Sequence, residues 1–299
     1  MKKSLFSSLM ALGAAMIWGL AFVAQTQNTM GTWTINALRA GIAFLFLLPV
    51  IRLFDRKGKL LREENKTATR KLWIGGMLCG AALSAASFLQ QYGIDQGIPA
   101  GKAGFITALY MSLVPLFGLF LRKKTRWFVW IAAGLAVVSL YLLCVRDGLT
   151  IELRDIWVIL CAVMFAVQIL IIDHYTALVN CVRLSCIQFL TTFVLCSVPA
   201  LLTETFEPAA VTQNLFPILY LGIASSAIGY TLQMLAQKGS NPAAVSILLS
   251  MESVFSVIFG ALVSGEVLSG REYAGCAIMF LAVLLTQADL IFPKKQQPA

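Results

Sequence analysis

The chain has 299 residues, of which 59% are hydrophobic and only 12% are charged, and its formal net charge is +9. A soluble domain is about half apolar and about a quarter charged, so this composition excludes an ordinary soluble protein and indicates a chain that lies in lipid. A basic protein can bind nucleic acid, but no aromatic-interleaved basic surface or binding motif accompanies the charge here. We therefore expect no nucleic-acid partner.

Ten apolar stretches are long enough to cross a bilayer as helices, which requires about 20 residues each. In chain order these spans cover residues 5–26, 34–54, 72–92, 99–121, 127–145, 156–173, 183–203, 215–235, 242–264 and 273–292. They lack the alternation of barrel strands, and backbone groups in hydrocarbon need internal partners, which helices provide. The sequence predicts an all-α membrane protein of ten transmembrane helices.

The basic residues between these spans are distributed unevenly. Most of the 23 lysines and arginines fall on one side of the membrane, above all in residues 52–71 and 122–126. The other side holds Lys102, Arg146, Arg154 and Arg271. Because cytoplasmic loops carry the excess of Lys and Arg, we expect both termini to lie in the cytoplasm.

An internal repeat relates the two halves of the chain. A shift of 142 residues aligns span 3 with span 8 and span 4 with span 9, and it pairs Gln91 with Gln233 and Gly97 with Gly239. The repeat unit holds five helices, an odd number, so the second half must enter the membrane from the opposite side. Inverted repeats are a transporter architecture with a substrate site near the midplane. We predict two five-helix halves, residues 1–146 and 147–299.

Spans 3 and 8 each carry polar and aromatic residues on one helical face. Phe88 and Gln91 follow Ser84 at i, i+4, i+7 spacing in span 3, and Tyr230 and Gln233 follow Ser226 in the same way. An amide that faces lipid loses its hydrogen bonds. These faces therefore line a cavity or, as the structural alternative, hold neighbouring helices together by hydrogen bonds.

Charged residues inside the spans are candidates for the site. Glu252 lies about ten residues into span 9, roughly 15 Å deep at the rise of an α-helix. A carboxylate at that depth needs a partner or a proton, so Glu252 either binds a cationic group of the substrate, carries a coupling proton or is a structural residue bonded to nearby serines. Arg39 in span 2 either binds an anion in the cavity or extends to the outer headgroups.

Three more polar or aromatic residues join this predicted site. Trp18 lies in the middle of span 1 and needs a partner for its N–H group when buried. Gln168 lies in span 6, and Tyr110 in span 4 matches Glu252 under the repeat shift. We therefore expect a central substrate site with aromatic, amide and acidic contributions, and no metal or cofactor.

Four short motifs occur in spans 1, 2, 4 and 9. They are residues 18–23, Leu38-Arg39, residues 103–110 with Pro115, and residues 250–255 followed by Gly265-Glu266. In this order they resemble the drug/metabolite transporter superfamily, specifically its ten-helix family with two EamA-type repeats. Two places depart from that pattern. Ser253 stands where members commonly have proline, and Lys123-Lys124 stands where the first half would carry a Gly-Glu pair.

The resemblance implies a secondary transporter of the cytoplasmic (inner) membrane. Members of the family move amino acids, purines, other metabolites or drugs, most often as exporters. We therefore expect alternating-access transport of a small organic metabolite that is amino-acid-like, nucleobase-like or drug-like. The expected partners are this substrate and membrane lipids, and the protein is expected to act as a monomer or homodimer.

Other functions also fit these sequence features. An uptake carrier for a vitamin or nucleobase fits the same spans. An integral membrane enzyme acting on a lipid-linked substrate would need catalytic polar residues clustered at the headgroup level, and the sequence shows no such constellation. A channel would give flux that does not saturate.

Overall fold

The computed structural model describes residues 2–26, 29–56, 66–98, 100–122, 125–145, 152–205, 208–264 and 269–286. Within these ranges the regular elements are all helical. They are α1 (Lys2–Thr26), α2 (Thr32–Arg56), α3 (Lys66–Asp95), α4 (Ala100–Ala108), α5 (Tyr110–Phe120), α6 (Trp127–Cys144), α7 (Ile156–Thr176), α8 (Cys181–Thr203), α9 (Pro208–Gln213), α10 (Leu215–Leu219), α11 (Tyr230–Gln237), α12 (Pro242–Leu249), α13 (Met251–Ser264) and α14 (Gly270–Thr286). A 3-10 turn, Leu153–Asp155, precedes α7, and a π-helix, Tyr220–Gly229, joins α10 to α11.

Seven helical segments of the described chain are long and apolar enough to cross a membrane. They are Thr32–Arg56, Lys66–Asp95, Ala103–Phe120, Leu153–Thr176, Cys181–Thr203, Leu215–Gln237 and Pro242–Phe259. Predicted spans 1 and 5 contain the shorter apolar helices Leu5–Ala21 and Trp127–Leu143, and span 10 begins within α14. A helical, multi-pass membrane architecture is confirmed, whereas the count of ten spans and the orientation of the termini stay predictions.

Spans 4 and 9 are each broken in the middle. Span 4 consists of α4 and α5, which are separated at Leu109, and span 9 consists of α12 and α13, which are separated at Ser250. Short i→i+3 hydrogen bonds replace the regular pattern there, such as the 3.2 Å bond from the Ser253 amide to the Ser250 carbonyl. When the 142-residue repeat shift is applied, the positions of the two breaks differ by one residue.

A left-handed glycine precedes each broken span. Gly97 has φ of 82° and Gly239 has φ of 75°, a conformation that residues with a Cβ atom adopt at a cost. These two glycines are partners in the sequence repeat. The two halves therefore share both the glycine and the geometry of the turn that leads into each broken span.

Helices α2 and α8, the second helix of each half, pack antiparallel along their length. Asp55 near the end of α2 binds Arg183 near the start of α8, and Glu204 just after α8 binds Thr34 near the start of α2. Equivalent helices that run in opposite directions are what an inverted repeat requires.

The contacts between the halves are symmetric. A contact from a helix of the first half to the second has a counterpart made by the equivalent helix of the second half. Helix α3 packs on α7, and its counterpart, the π-helix with α11, packs on α1. Helix α1 packs on α13, and α7 packs correspondingly on α4 and α5. Helices α6 and α14 pack on each other. The seam between the halves thus brings the two broken spans to the centre of the molecule.

Candidate functional site

A cavity of about 60 Å³ lies on this seam. It is lined by residues from both halves, and seven of them belong to the predicted site: Trp18, Arg39, Tyr110, Gln168, Tyr230, Gln233 and Glu252. Pockets for drug-sized ligands measure about 300–1,000 Å³, so this conformation has room for a few water molecules. A metabolite-sized substrate would need the cavity to widen.

Arg39 extends from α2 to the π-helix of the opposite half. Its Nε donates a hydrogen bond to Ser226 Oγ at 3.1 Å, and its Nη2 donates to Ser225 Oγ at 3.3 Å. Among the described residues, no carboxylate lies within 4 Å of this guanidinium. A charge inside the membrane with only neutral partners is costly, and here it borders a cavity rather than the headgroups.

Glu252 lies in the first turn of α13, directly after the break in span 9. Its side chain is buried and accepts a 3.5 Å hydrogen bond from the hydroxyl of Tyr110, the first residue of α5. The positive end of the α13 dipole favours a carboxylate at this place. The hydroxyl of Ser256 donates to the Ser253 carbonyl, so the described contacts give Glu252 a tyrosine partner rather than a serine.

Trp18 and Tyr230 form an aromatic wall of the cavity. The Trp18 indole N–H donates to the Ser225 carbonyl of the π-helix at 3.0 Å. The Trp18 and Tyr230 rings lie 4.9 Å apart and are tilted by 57°, and Phe189 packs edge-on against Tyr230. The polar end of Trp18 is thus satisfied by backbone, which leaves its ring face available to a planar group.

The two amides of the site have different surroundings. Gln168 on α7 donates to the Gln188 side chain on α8 at 3.2 Å, which fits a bond that holds these helices together. Gln233 on α11 is 2% exposed, and its Oε1 has no hydrogen-bond partner among the described residues. Gln168 Oε1 is likewise buried without a partner among the described residues. A buried acceptor without a partner costs about 1–3 kcal/mol, so both amide oxygens are placed to accept an N–H group from a ligand.

Two predicted site residues, Phe88 and Gln91, do not line this cavity. Phe88 stacks on Trp33 with the ring centroids 3.9 Å apart, and Gln91 donates to Asp95 at 3.1 Å. Their neighbours Ser87 and Gln90 line the cavity instead.

The π-helix explains this difference between the halves. Its i→i+5 hydrogen bonds place more residues in each turn than an α-helix has, so residues after Gly229 are rotated relative to their partners in α3. An ungapped alignment of the repeats assumes equal periodicity in both helices. It therefore matched Gln91 with Gln233, although Gln90 is the amide of α3 that borders the cavity.

Sequence reasoning did not select several other residues of the cavity wall. They include Ser87, Gln90, Thr107 and Phe165. Gln90 donates to Thr107 Oγ1 at 3.3 Å, which joins α3 to α4 beside the cavity. The Gln90-Gln91 pair was the available signal, because adjacent residues of an α-helix lie about 100° apart and so either amide could be the one that borders the cavity. The motif residues Gly265-Glu266 and Lys123-Lys124 lie outside the described residues.

Comparisons with known proteins agree with this architecture. The sequence profile of the EamA-like transporter family matches residues 5–145 and again residues 153–287. An uncharacterized transporter of Archaeoglobus fulgidus is 29% identical over 291 residues, which cover 95% of this chain and 86% of that protein. A crystal structure matches with a TM-score of 0.78 at 17% identity, covering 97% of this chain and 99% of the other, and shows the shared fold. Two family repeats in one helical, multi-pass chain establish that the protein belongs to the EamA-like transporter family and is a membrane transporter.

Proposed function

We propose that this protein is a secondary transporter of the cytoplasmic membrane that moves a small zwitterionic metabolite through the cavity between its halves. The observation that carries the proposal is that Arg39 and Glu252 both line the cavity and that no ion pair joins them. A substrate with a carboxylate and an ammonium group would give each charge an ionic partner. An amino-acid-like compound has this charge pattern.

The broken helices support a substrate site at this place. In transporters with inverted repeats, discontinuous helices meet at the midplane and present helix ends to the substrate. Here Tyr110 and Glu252 begin the second segment of each broken span and bond to each other. The hydroxyl and carboxylate are therefore set where regular backbone hydrogen bonding is interrupted.

The exchange symmetry of the contacts supports alternating access. The antiparallel pairing of α2 with α8 fits two halves of opposite orientation, and swapping the conformations of the halves would then open the cavity to the opposite side. Both termini lie in the cytoplasm in this proposal. Export is favoured over import on the family resemblance alone.

The aromatic wall and the unpaired amide oxygen of Gln233 further restrict the class of substrate. Trp18 and Tyr230 offer ring faces to a planar or apolar side group, and Gln233 Oε1 offers an acceptor for an N–H group. We infer a zwitterion with a compact planar or apolar side chain.

A matched ligand panel tests the charge pattern. Purified protein would be heated with amino acids, with their methyl esters, which lack the carboxylate, and with the corresponding carboxylic acids, which lack the ammonium group. We expect a rise in Tm with at least one zwitterion and with neither of its single-charge analogues, because ligand binding stabilises the folded state. Equal shifts with the ester would remove Arg39 from the proposal, and shifts with a vitamin or nucleobase alone would favour the uptake carrier.

A further inference from the structure

An apolar groove of about 600 Å³ lies outside the central cavity, between the ends of α5 and α7. Its wall includes Phe117, Phe120, Leu170, Ile171, His174 and Tyr175. The groove is open on one side, and Phe120 at its edge is 82% exposed. In a helix that spans a membrane, this edge faces lipid.

A basic residue directly follows the groove wall in the chain. Arg122 follows Leu121, which lines the groove, and its side chain is exposed. Among the described residues no carboxylate pairs with it. Arg122 has φ of 56°, an uncommon conformation for a residue other than glycine, and its amide bonds the Leu119 carbonyl. The chain thus turns sharply beside the groove wall, and an exposed cation follows Leu121 at this turn.

The sequence around Arg122 adds to this charge. Residues 122–126 contain four basic side chains, and we predict that they lie on the cytoplasmic side. Basic clusters next to a transmembrane helix attract anionic lipid headgroups at about 1 kcal/mol for each Lys or Arg. An apolar groove that ends at an unpaired arginine matches a molecule with a long hydrocarbon chain and an anionic head.

We propose that this groove binds one acyl chain of an anionic phospholipid and that Arg122 holds its phosphate. Zwitterionic phospholipids carry the same chains, so chain length alone would not discriminate between them. The selectivity comes from the arginine, because a phosphatidylglycerol headgroup keeps its net negative charge and a phosphatidylcholine headgroup has none.

The location gives the bound lipid a physical route to the transport site. Helices α5 and α7 form both the groove and part of the central cavity, where Tyr110 and Phe165 approach to 6.2 Å between ring centroids. A chain seated between the far ends of the same two helices would bias their separation. The binding itself does not depend on the substrate or on transport.

Native mass spectrometry of the full-length protein in detergent tests the proposal. Phosphatidylglycerol and phosphatidylcholine with identical acyl chains would be titrated separately. We expect one phosphatidylglycerol to bind about fivefold more tightly than phosphatidylcholine, and Arg122→Gln to abolish that difference. The matched control is Arg52→Gln, which removes an exposed arginine near the end of α2 and should leave the first lipid bound.

A second variant tests the acyl-chain contact. Ile171→Trp fills the groove and should reduce the binding of both lipids, whereas Arg122→Gln affects phosphatidylglycerol alone. If Ile171→Trp does not fold, Val167→Phe fills the same groove with a smaller change. Equal binding of both lipids to the unmodified protein, or equal losses in the Arg122→Gln and Arg52→Gln variants, would overturn the proposal.

Discussion

Arg39 and Glu252 border the same cavity, and each has neutral hydrogen-bond partners. Arg39 binds two serines of the π-helix, and Glu252 accepts one long bond from Tyr110. Hydrogen bonds to charged groups contribute about 1.5–3 kcal/mol, and an ionic ligand in the cavity would replace these neutral contacts with stronger ones. The two charges therefore act as separate recognition points for one zwitterion.

The variant Glu252→Gln tests the acidic recognition point. It keeps the size of the side chain and removes its charge, so we expect at least a tenfold rise in Kd for the zwitterion that stabilises the protein. Isothermal titration of purified protein measures this change. Tyr110→Phe, which removes one neutral hydrogen bond, should have a smaller effect. Transport by Glu252→Gln at full rate with unchanged pH dependence would reject both the binding role and the coupling role.

The residues of this site were partly predictable from the sequence. A charge or an amide in an apolar span is conspicuous because lipid offers it no partner, which is how Arg39, Gln233 and Glu252 were selected. The direction in which a side chain points depends on the turn geometry of its own helix. The sequence pattern therefore favoured Phe88 and Gln91, whereas their neighbours Ser87 and Gln90 line the cavity in this conformation.

At the scale of elements, α2 and α8 are joined at both ends by a carboxylate, in an ion pair at one end and in hydrogen bonds to backbone amides at the other. Arg183 Nη2 lies 2.7 Å from both carboxylate oxygens of Asp55. Glu204 accepts 2.8 Å hydrogen bonds from the amides of Trp33 and Thr34, which satisfies free N–H groups at the start of α2. Since each contact joins one half to the other, the α2–α8 pair is expected to stay together while other helices move.

The ion pair at one end of this helix pair should make a measurable contribution to the free energy of unfolding. Its side chains are 19% and 26% exposed, whereas those of the Arg154–Glu152 pair are 42% and 47% exposed. We expect Arg183→Gln to lower the free energy of unfolding by about 1–3 kcal/mol and Arg154→Gln by less than about 1 kcal/mol. Thermal unfolding in detergent compares the two. A larger loss in Arg154→Gln would contradict this assignment.

Close packing between α1 and α13 gives a second prediction at this scale. A Cβ atom on Gly19 would lie 2.5 Å from Phe255 Cβ and 2.9 Å from the Ser256 backbone nitrogen, so the helices would have to separate. We expect Gly19→Ala to destabilise the protein by about 1–3 kcal/mol through overpacking. Gly134→Ala is the matched control, because nothing lies within 4 Å of its new Cβ, and alanine at this helix position should stabilise by about 0.5–1 kcal/mol. Equal Tm values for the two variants would disprove the packing argument.

The helix breaks and the π-helix could not be predicted from the sequence, for a physical reason. The bilayer thickness dictates the length of an apolar span, so spans such as those containing α2 and α8 are visible in the sequence. A break within a span leaves that length and its hydrophobicity almost unchanged. Span 4 with α4 and α5, and span 9 with α12 and α13, were consequently predicted as single helices.

At the scale of the whole molecule, the repeat seen in the sequence corresponds to a symmetric set of contacts. Each half has one left-handed glycine, Gly97 or Gly239, and one broken span. Helix α2 of the first half also pairs with its counterpart α8 of the second. The family profile also matches each half separately. The cavity on the seam then becomes the natural place for a substrate that both halves must contact, and its small volume of about 60 Å³ fits a closed conformation.

Counterflow in proteoliposomes tests the central claim, that this cavity carries a zwitterionic substrate across the membrane by alternating access. Vesicles loaded with the zwitterion that stabilises the protein would be diluted into trace labelled compound. We predict transient, saturable accumulation of label with the unmodified protein and with Gly134→Ala, and at least a tenfold slower rate with Arg39→Gln. Accumulation that never saturates, or an unchanged rate in Arg39→Gln, would contradict the account.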